Sequence, residues 1–389
     1  MESLFEYSNK FIKETDLGFM RYMHAQINWD NRLIGLLGAR GVGKTTLVLQ
    51  HIKKNLPQQQ TLYVTAEDFY FSSHSLVDLA SEFVKYGGKH LIIDEIHKYP
   101  EWSKALKLIY DYHKDLQVVF TGSSVLDIKK GSADLSRRAV MYHMKGLSFR
   151  EYLSLFHHID LPTYTLDEVL SHKVEAPQLP HPLALFSKYL KQGYYPFSLE
   201  ADFDIRLKQI INQSLEVDIP VYAGMNVATG RKLKQLLAII SRSVPFKPNR
   251  TKIAELLGAS RNNILDYLLY IEEAGMIGQL RPSTGGIRGL GKVDKIYLDN
   301  TNLIYSLTEG ELNTGNLRET FFFNQLSQSH IVTSSKGVDF KIGHLHFEVG
   351  GKSKGKKQLK GLDHAFLVKD DIEAGYLNTI PLWQFGLLY

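Results

Sequence analysis

Short apolar runs alternate with helical periodicity through the first third of the chain. Leu33-Ile34-Gly35-Leu36-Leu37, Thr61-Leu62-Tyr63-Val64-Thr65, Leu91-Ile92-Ile93 and Val118-Val119-Phe120 are too short for helices, and their apolar character suits strands covered on both faces. Between them, residues 75–86 place Leu76, Leu79, Ala80 and Phe83 on one helical face and stop at Gly87-Gly88. A second helix is expected over 102–114, and residues 1–32 read as a helical lead-in. A fifth strand follows Arg137-Arg138, and Ser148 with Glu151 marks the next helix by a capping box. Strand–helix alternation of this kind predicts an α/β doubly wound parallel sheet over residues 1–160.

The pattern then changes. Pro162, Pro177, Pro180 and Pro182 mark a boundary, and helices over 183–192 and 203–215 give a helical lid or spacer, 161–228. Residues 229–294 read as a helix-turn-helix: a helix over 232–241, a short one over 251–257 ended by Gly258, and a longer one over 261–273 capped by Ser260. The Gly-rich stretch 283–292 suits a wing. Residues 295–389 return to strands, at 295–299, 331–334, 338–342 and 345–349, with a helix over 317–326, and predict a small α/β domain.

Composition narrows the chemistry. There is no cysteine among the 389 residues, which excludes disulfides, zinc–thiolate sites and cysteine nucleophiles. Hydrophobic content of 44% and charged content of 22% are globular values, and a net charge of +5 is compatible with a nucleic-acid partner without requiring one. No apolar run is long enough to span a bilayer and Met1 opens no secretory leader, so a soluble cytoplasmic protein with no membrane partner is expected.

The most informative stretch is Gly38-Ala39-Arg40-Gly41-Val42-Gly43-Lys44-Thr45, placed between an apolar strand and a helix. This is the G-x-x-x-x-G-K-T pattern of a nucleotide-binding P-loop. Glycines let successive N–H groups face phosphate oxygens, and the helix that follows adds its positive end. Gly38, Arg40, Gly41, Val42, Gly43, Lys44, Thr45 and Thr46 are the expected ATP-binding residues. Lys44 would reach the terminal phosphates and the Thr45 hydroxyl would ligate Mg²⁺. Downstream, Leu91-Ile92-Ile93-Asp94-Glu95 supplies the partner element: Asp94 for Mg²⁺ and Glu95 as the general base on water. Ser123 and Ser124, at the end of a further strand, read either as γ-phosphate sensors or as an ordinary turn. Arg138 reads either as a guanidinium for the γ-phosphate, in the same subunit or a neighbour, or as part of a solvated basic loop.

In the tail, Arg261, Asn262 and Asn263 open the longer helix of the helix-turn-helix and suit either base contacts or protein docking. Glu319, Asp339 and Glu348 approach one sheet edge, where they suit either a second Mg²⁺ site or a surface hairpin. The lysine-rich loop 350–360 follows directly. Residues 251–292 and this loop are the candidate DNA-contacting regions.

Taken together, these motifs resemble the prokaryotic AAA-type ATPases that join a P-loop domain to a winged helix and a restriction-endonuclease-like, PD-(D/E)XK-type core of uncharacterised function. The matching stretches are Gly38 to Thr45, Ile92 to Lys98, Thr121-Gly122-Ser123-Ser124 and Arg138 to Glu151. The resemblance implies ATP binding and hydrolysis with Asp94 and Glu95 as the Walker B pair, Ser123 or Ser124 as sensor and Arg138 as the family's arginine. In the tail it implies a carboxylate site of Glu319, Asp339 and Glu348, with Gly350 where a lysine is expected and Lys352 two residues later. The expected function is an ATP-driven switch whose nucleotide state controls the tail. Its alternatives are an ATP-regulated, metal-dependent DNA endonuclease and a non-hydrolysing nucleotide sensor or interaction module. A protein partner or homo-oligomer fits the same reading.

Overall fold

A computed structural model of the chain describes residues 1–122, 135–283, 292–308, 310–355 and 357–389. They form two compact units, residues 1–146 with 221–224, and residues 147–220 with 225–389.

In the first unit, five strands form a parallel sheet among the described residues: β1 (Leu33–Leu37), β2 (Thr61–Thr65), β3 (His90–Asp94), β4 (Gln117–Gly122) and β5 (Val140–His143). Their order is β2-β3-β4-β1-β5, so β4 separates the P-loop strand β1 from β3. Helices Lys44–Asn55, Leu76–Lys85 and Trp102–Tyr112 connect the strands, as the alternating pattern predicts. Leu79, Phe83, Ile93, Leu106, Ile109 and Phe120 pack into one core. The lead-in forms helix Glu2–Glu14, which buries Leu4, Ser8 and Ile12. Because every strand runs the same way, Leu37, Thr65, Asp94 and Gly122 all arrive at one sheet edge. That edge is where a ligand of such a sheet binds.

The second unit begins earlier than the sequence suggests. Helix Phe149–His157 carries the expected Ser148–Glu151 capping box, but Ser148 Oγ donates to the Tyr389 carbonyl and Phe149 packs on Phe186 and Tyr189. The division therefore falls at 146/147 and not at 160.

Helices Val227–Ser241, Arg250–Leu257 and Arg261–Glu273 lead into β6 (Ile277–Pro282), which pairs antiparallel with β7 (Lys295–Leu298). Gly258, at φ 54°, ends the second of these helices in the left-handed region that glycine tolerates. Most of the Gly-rich stretch 283–292 lies outside the described residues. β8 (Thr333–Ser335), β9 (Val338–Ile342), β10 (Leu345–Gly350), β11 (Ala365–Lys369) and β12 (Thr379–Pro381) extend the same sheet in the order β12-β11-β10-β9-β8-β6-β7. Since β6 pairs with β8, residues 229–294 and 295–389 share one sheet. They are not the two separate domains that sequence periodicity suggests. No helix among the described residues is long and apolar enough to cross a membrane.

Candidate functional site

The loop after β1 has the backbone its glycines permit. Gly41 and Gly43 stand at φ 83° and 96°, and Gly43 caps the helix that starts at Lys44. A side chain at Gly38 would run into the Met144 carbonyl, because the exit of β5 passes against the start of the loop. Val42 points into the core, Arg40 is half-buried and Thr46 is exposed.

Lys44 is buried, and its Nζ donates to the Gly38 and Ala39 carbonyls, both at 2.9 Å. Burial pushes its ammonium down to about 8, against the pull of Glu95 and Asp94. A charge held this way gains from an anionic partner.

Asp94 is the hub of the site. Its carboxylate accepts from Thr45 Oγ1 at 2.8 Å, from Tyr63 Oη at 2.9 Å and from the Thr121 hydroxyl. Burial and Asp94 hold the Tyr63 phenol above its ordinary value, so it remains a donor. The strand order makes this possible: Thr121 on β4 stands between the P-loop side and β3, and it also accepts the Glu95 N–H at 3.2 Å. Glu95 lies at φ 51°, an uncommon conformation for a non-glycine residue and one that concentrates at active sites. Its carboxylate is 3.2 Å from His97 Nε2. Burial, with Lys98, Lys44 and Arg40 nearby, pushes the buried His97 imidazole down to about 3. At neutral pH it is therefore uncharged beside Glu95.

Tyr63, Thr121 and His97 were not singled out from sequence. The hydroxyls sit inside strands that read only as β-rich or apolar, and His97 read as a core or surface residue. The Ser123 and Ser124 expectation lies outside the described residues.

Arg138 stands elsewhere. It precedes β5, so it lies at the amino edge of the parallel sheet, whereas the P-loop follows the carboxyl end of the adjacent β1. Its guanidinium holds Asp111 at the end of helix Trp102–Tyr112, with Nε and Nη2 at 3.0 and 3.1 Å. The sheet thus lies between Arg138 and the P-loop of the same chain.

The tail carboxylates do come together, but with lysines. Lys295 Nζ lies 3.2 Å from Glu319 and 3.3 Å from Asp339, and Tyr297 Oη donates to Glu319 at 2.7 Å. Although burial opposes it, the two acids hold Lys295 above its ordinary value. Asp339 also accepts the Val349 N–H at 3.1 Å, and the buried Glu348 is bound by Lys354 Nζ at 2.6 Å. Lys354, not the exposed Lys352, is the loop lysine that reaches the carboxylates. Its side chain crosses Gly350 so closely that a Cβ at 350 would overlap it. The missing strand lysine and the loop lysine are thus one arrangement. Among the described residues no group of three or more Asp, Glu or His is disposed to hold a metal ion, and Glu319, Asp339 and Glu348 each have a lysine partner instead.

A Lys295→Met chain should lose about 2 kcal/mol of stability by urea unfolding, because it strands two carboxylates side by side. Adding Asp339→Asn should recover part of that loss. Strict additivity of the two changes would show that the three groups do not act together.

Residues 30–153 match the family model of an AAA domain, and residues 183–314 match that of a domain of unknown function, DUF8612. The chain is 25% identical over 289 residues to the uncharacterized protein MJ1637 of Methanocaldococcus jannaschii; the match covers 69% of this chain and 61% of that protein. Among solved structures it is similar to C. elegans PCH-2, at 15% identity and a TM-score of 0.26 over 70% of this chain and 66% of that one. It is also similar to NtrX from Brucella abortus, solved in complex with ADP, at 14% identity and a TM-score of 0.28 over 68% and 71%. The family match and the P-loop geometry both support a nucleotide-binding domain of AAA type over residues 30–153.

Proposed function

We propose that the protein binds and hydrolyses ATP with Mg²⁺, and that its nucleotide state controls the unit formed by the tail. The observation that supports this best is the Asp94 carboxylate, held beside the P-loop by Thr45, Thr121 and Tyr63 with Glu95 next to it. Thr45 and Asp94 offer the hard oxygen donors that Mg²⁺ takes, and the Gly41–Gly43 turn offers N–H groups to phosphate oxygens. Bound there, Mg²⁺ would offset charge on the β- and γ-phosphates. Lys44 swings from the Gly38 and Ala39 carbonyls to the terminal phosphates. Glu95, steadied by His97, accepts the proton of the attacking water.

In the tail, helices Val227–Ser241, Arg250–Leu257 and Arg261–Glu273 with the strands that follow support the winged-helix reading of residues 229–294, and Arg261, Asn262 and Asn263 are exposed at the start of the third helix. This face suits a partner, either duplex DNA or protein. The lysine-bound carboxylates favour a scaffold over an endonuclease. We assign Arg138 to a neighbouring copy's γ-phosphate, since its own P-loop lies at the opposite sheet edge.

Phosphate release by the full chain tests these assignments. Turnover should require Mg²⁺ and rise per chain with protein concentration. Arg138→Ala should remove that rise and lower the plateau at least about 10²-fold. Concentration-independent turnover that survives Arg138→Ala would reduce the residue to its Asp111 contact. Tight ATP binding with no turnover at any concentration would replace hydrolysis by sensing.

A further inference from the structure

We infer that Arg21, in the lead-in segment, is a positioning residue that holds the P-loop backbone in its phosphate-accepting conformation and ties it to the exit of β5. The inference rests on the nucleotide-binding reading of that loop. Arg21 is 4% exposed. Its Nη1 donates to the Val42 carbonyl at 2.5 Å, and its Nη2 donates to the Lys145 and Gly146 carbonyls at 2.8 and 2.9 Å. A buried guanidinium whose hydrogen bonds go to main-chain carbonyls on two separate segments holds those segments together.

The consequence for the loop follows from peptide geometry. The Val42–Gly43 peptide is planar and trans, so its C=O and N–H point in opposite directions. Drawing the Val42 carbonyl outward to Arg21 aims the Gly43 N–H inward, toward the concave side of the loop where a phosphate oxygen would lie. Without an anchor that peptide is poorly held, because Gly43 at φ 96° is free to rotate and Gly41 at φ 83° lies just before it. The positive charge behind the carbonyl also strengthens the dipole that faces the anion.

The second arm of the fork reaches residues 145 and 146, just beyond β5 and still within the first unit. Met144 already lies against Gly38, and its N–H donates to the Leu37 carbonyl at 2.7 Å. The P-loop and the β5 exit are thus bound together at both ends of the loop, by direct backbone approach at Gly38 and through Arg21 at Val42. Lysine cannot copy this, since a single ammonium on a flexible stem lacks the planar fork.

The test uses the full chain with Arg21→Lys and Arg21→Met. Amide hydrogen exchange at residues 41–45 should speed up in both variants without nucleotide, and ATP and ADP affinity should fall about 10- to 100-fold by calorimetry. A structural role alone would lower the urea midpoint but leave the affinity of the folded protein and its loop exchange unchanged. That result, or full rescue by lysine, would overturn the inference. If either variant fails to fold, wild-type exchange decides: ATP should protect residues 38–45 and 144–147 together, and protection of the loop alone would overturn the link. Failure of the wild type to bind ATP would instead overturn the proposed function, while faster loop exchange in the variants would still uphold the clamp.

Discussion

Lys44→Ala should leave the chain folded and reduce its ATP affinity at least about 100-fold. Among the described residues the Lys44 ammonium donates to the Gly38 and Ala39 carbonyls, and burial disfavours its charge. Its loss therefore costs the fold little. A nucleotide offers the charge a far better partner, and charge-assisted hydrogen bonds in a buried setting are among the strongest a protein makes. Removing the ammonium also leaves Mg²⁺ alone to offset the terminal phosphates beside the Asp94 and Glu95 carboxylates. Calorimetry with ATP and Mg²⁺, beside a urea titration of the same sample, checks both halves. Wild-type affinity in Lys44→Ala would refute the P-loop assignment, and gross unfolding would mean that the lysine holds the loop itself.

Glu95→Gln should separate binding from chemistry. The amide keeps the size of the side chain and can still meet His97, so the φ 51° conformation and the Thr121 contact to the Glu95 N–H should persist. Affinity for ATP should change less than about threefold, since the phosphates and Mg²⁺ are assigned to Lys44, Thr45 and Asp94. The amide cannot accept a proton, and turnover should fall about 10²- to 10⁴-fold. Phosphate release under single-turnover conditions reads the chemical step directly. Normal turnover would assign the base elsewhere or leave Glu95 as a purely structural turn residue.

The parts of this protein legible in its sequence are those encoded within a few residues. The P-loop is one of them: eight consecutive positions specify two left-handed glycines, a helix start, a buried lysine and a hydroxyl, and the structure has each in place. The four short apolar runs are another. A strand covered on both faces must be apolar throughout, so periodicity alone was enough to expect a parallel sheet. The capping box at Ser148 and the glycine stop at Gly258 belong to the same class, because each satisfies backbone groups within one helical turn.

Tertiary structure decided what depends on strand order and on distant partners. Nothing in the apolar runs says that β4 lies between β1 and β3, yet that order brings the Thr121 hydroxyl to Asp94 and puts Tyr63 on its other side. The same order, with all strands parallel, places Arg138 at the sheet edge opposite the P-loop of its own chain. The tail shows the same limit. A lysine four residues beyond its expected strand position folds back over Gly350, and Lys295 arrives from another strand to sit between Glu319 and Asp339. Motifs record which residue types are near one another along the chain. Charge balance, and hence whether carboxylates can take a metal ion, is set by which residues the fold brings together across it.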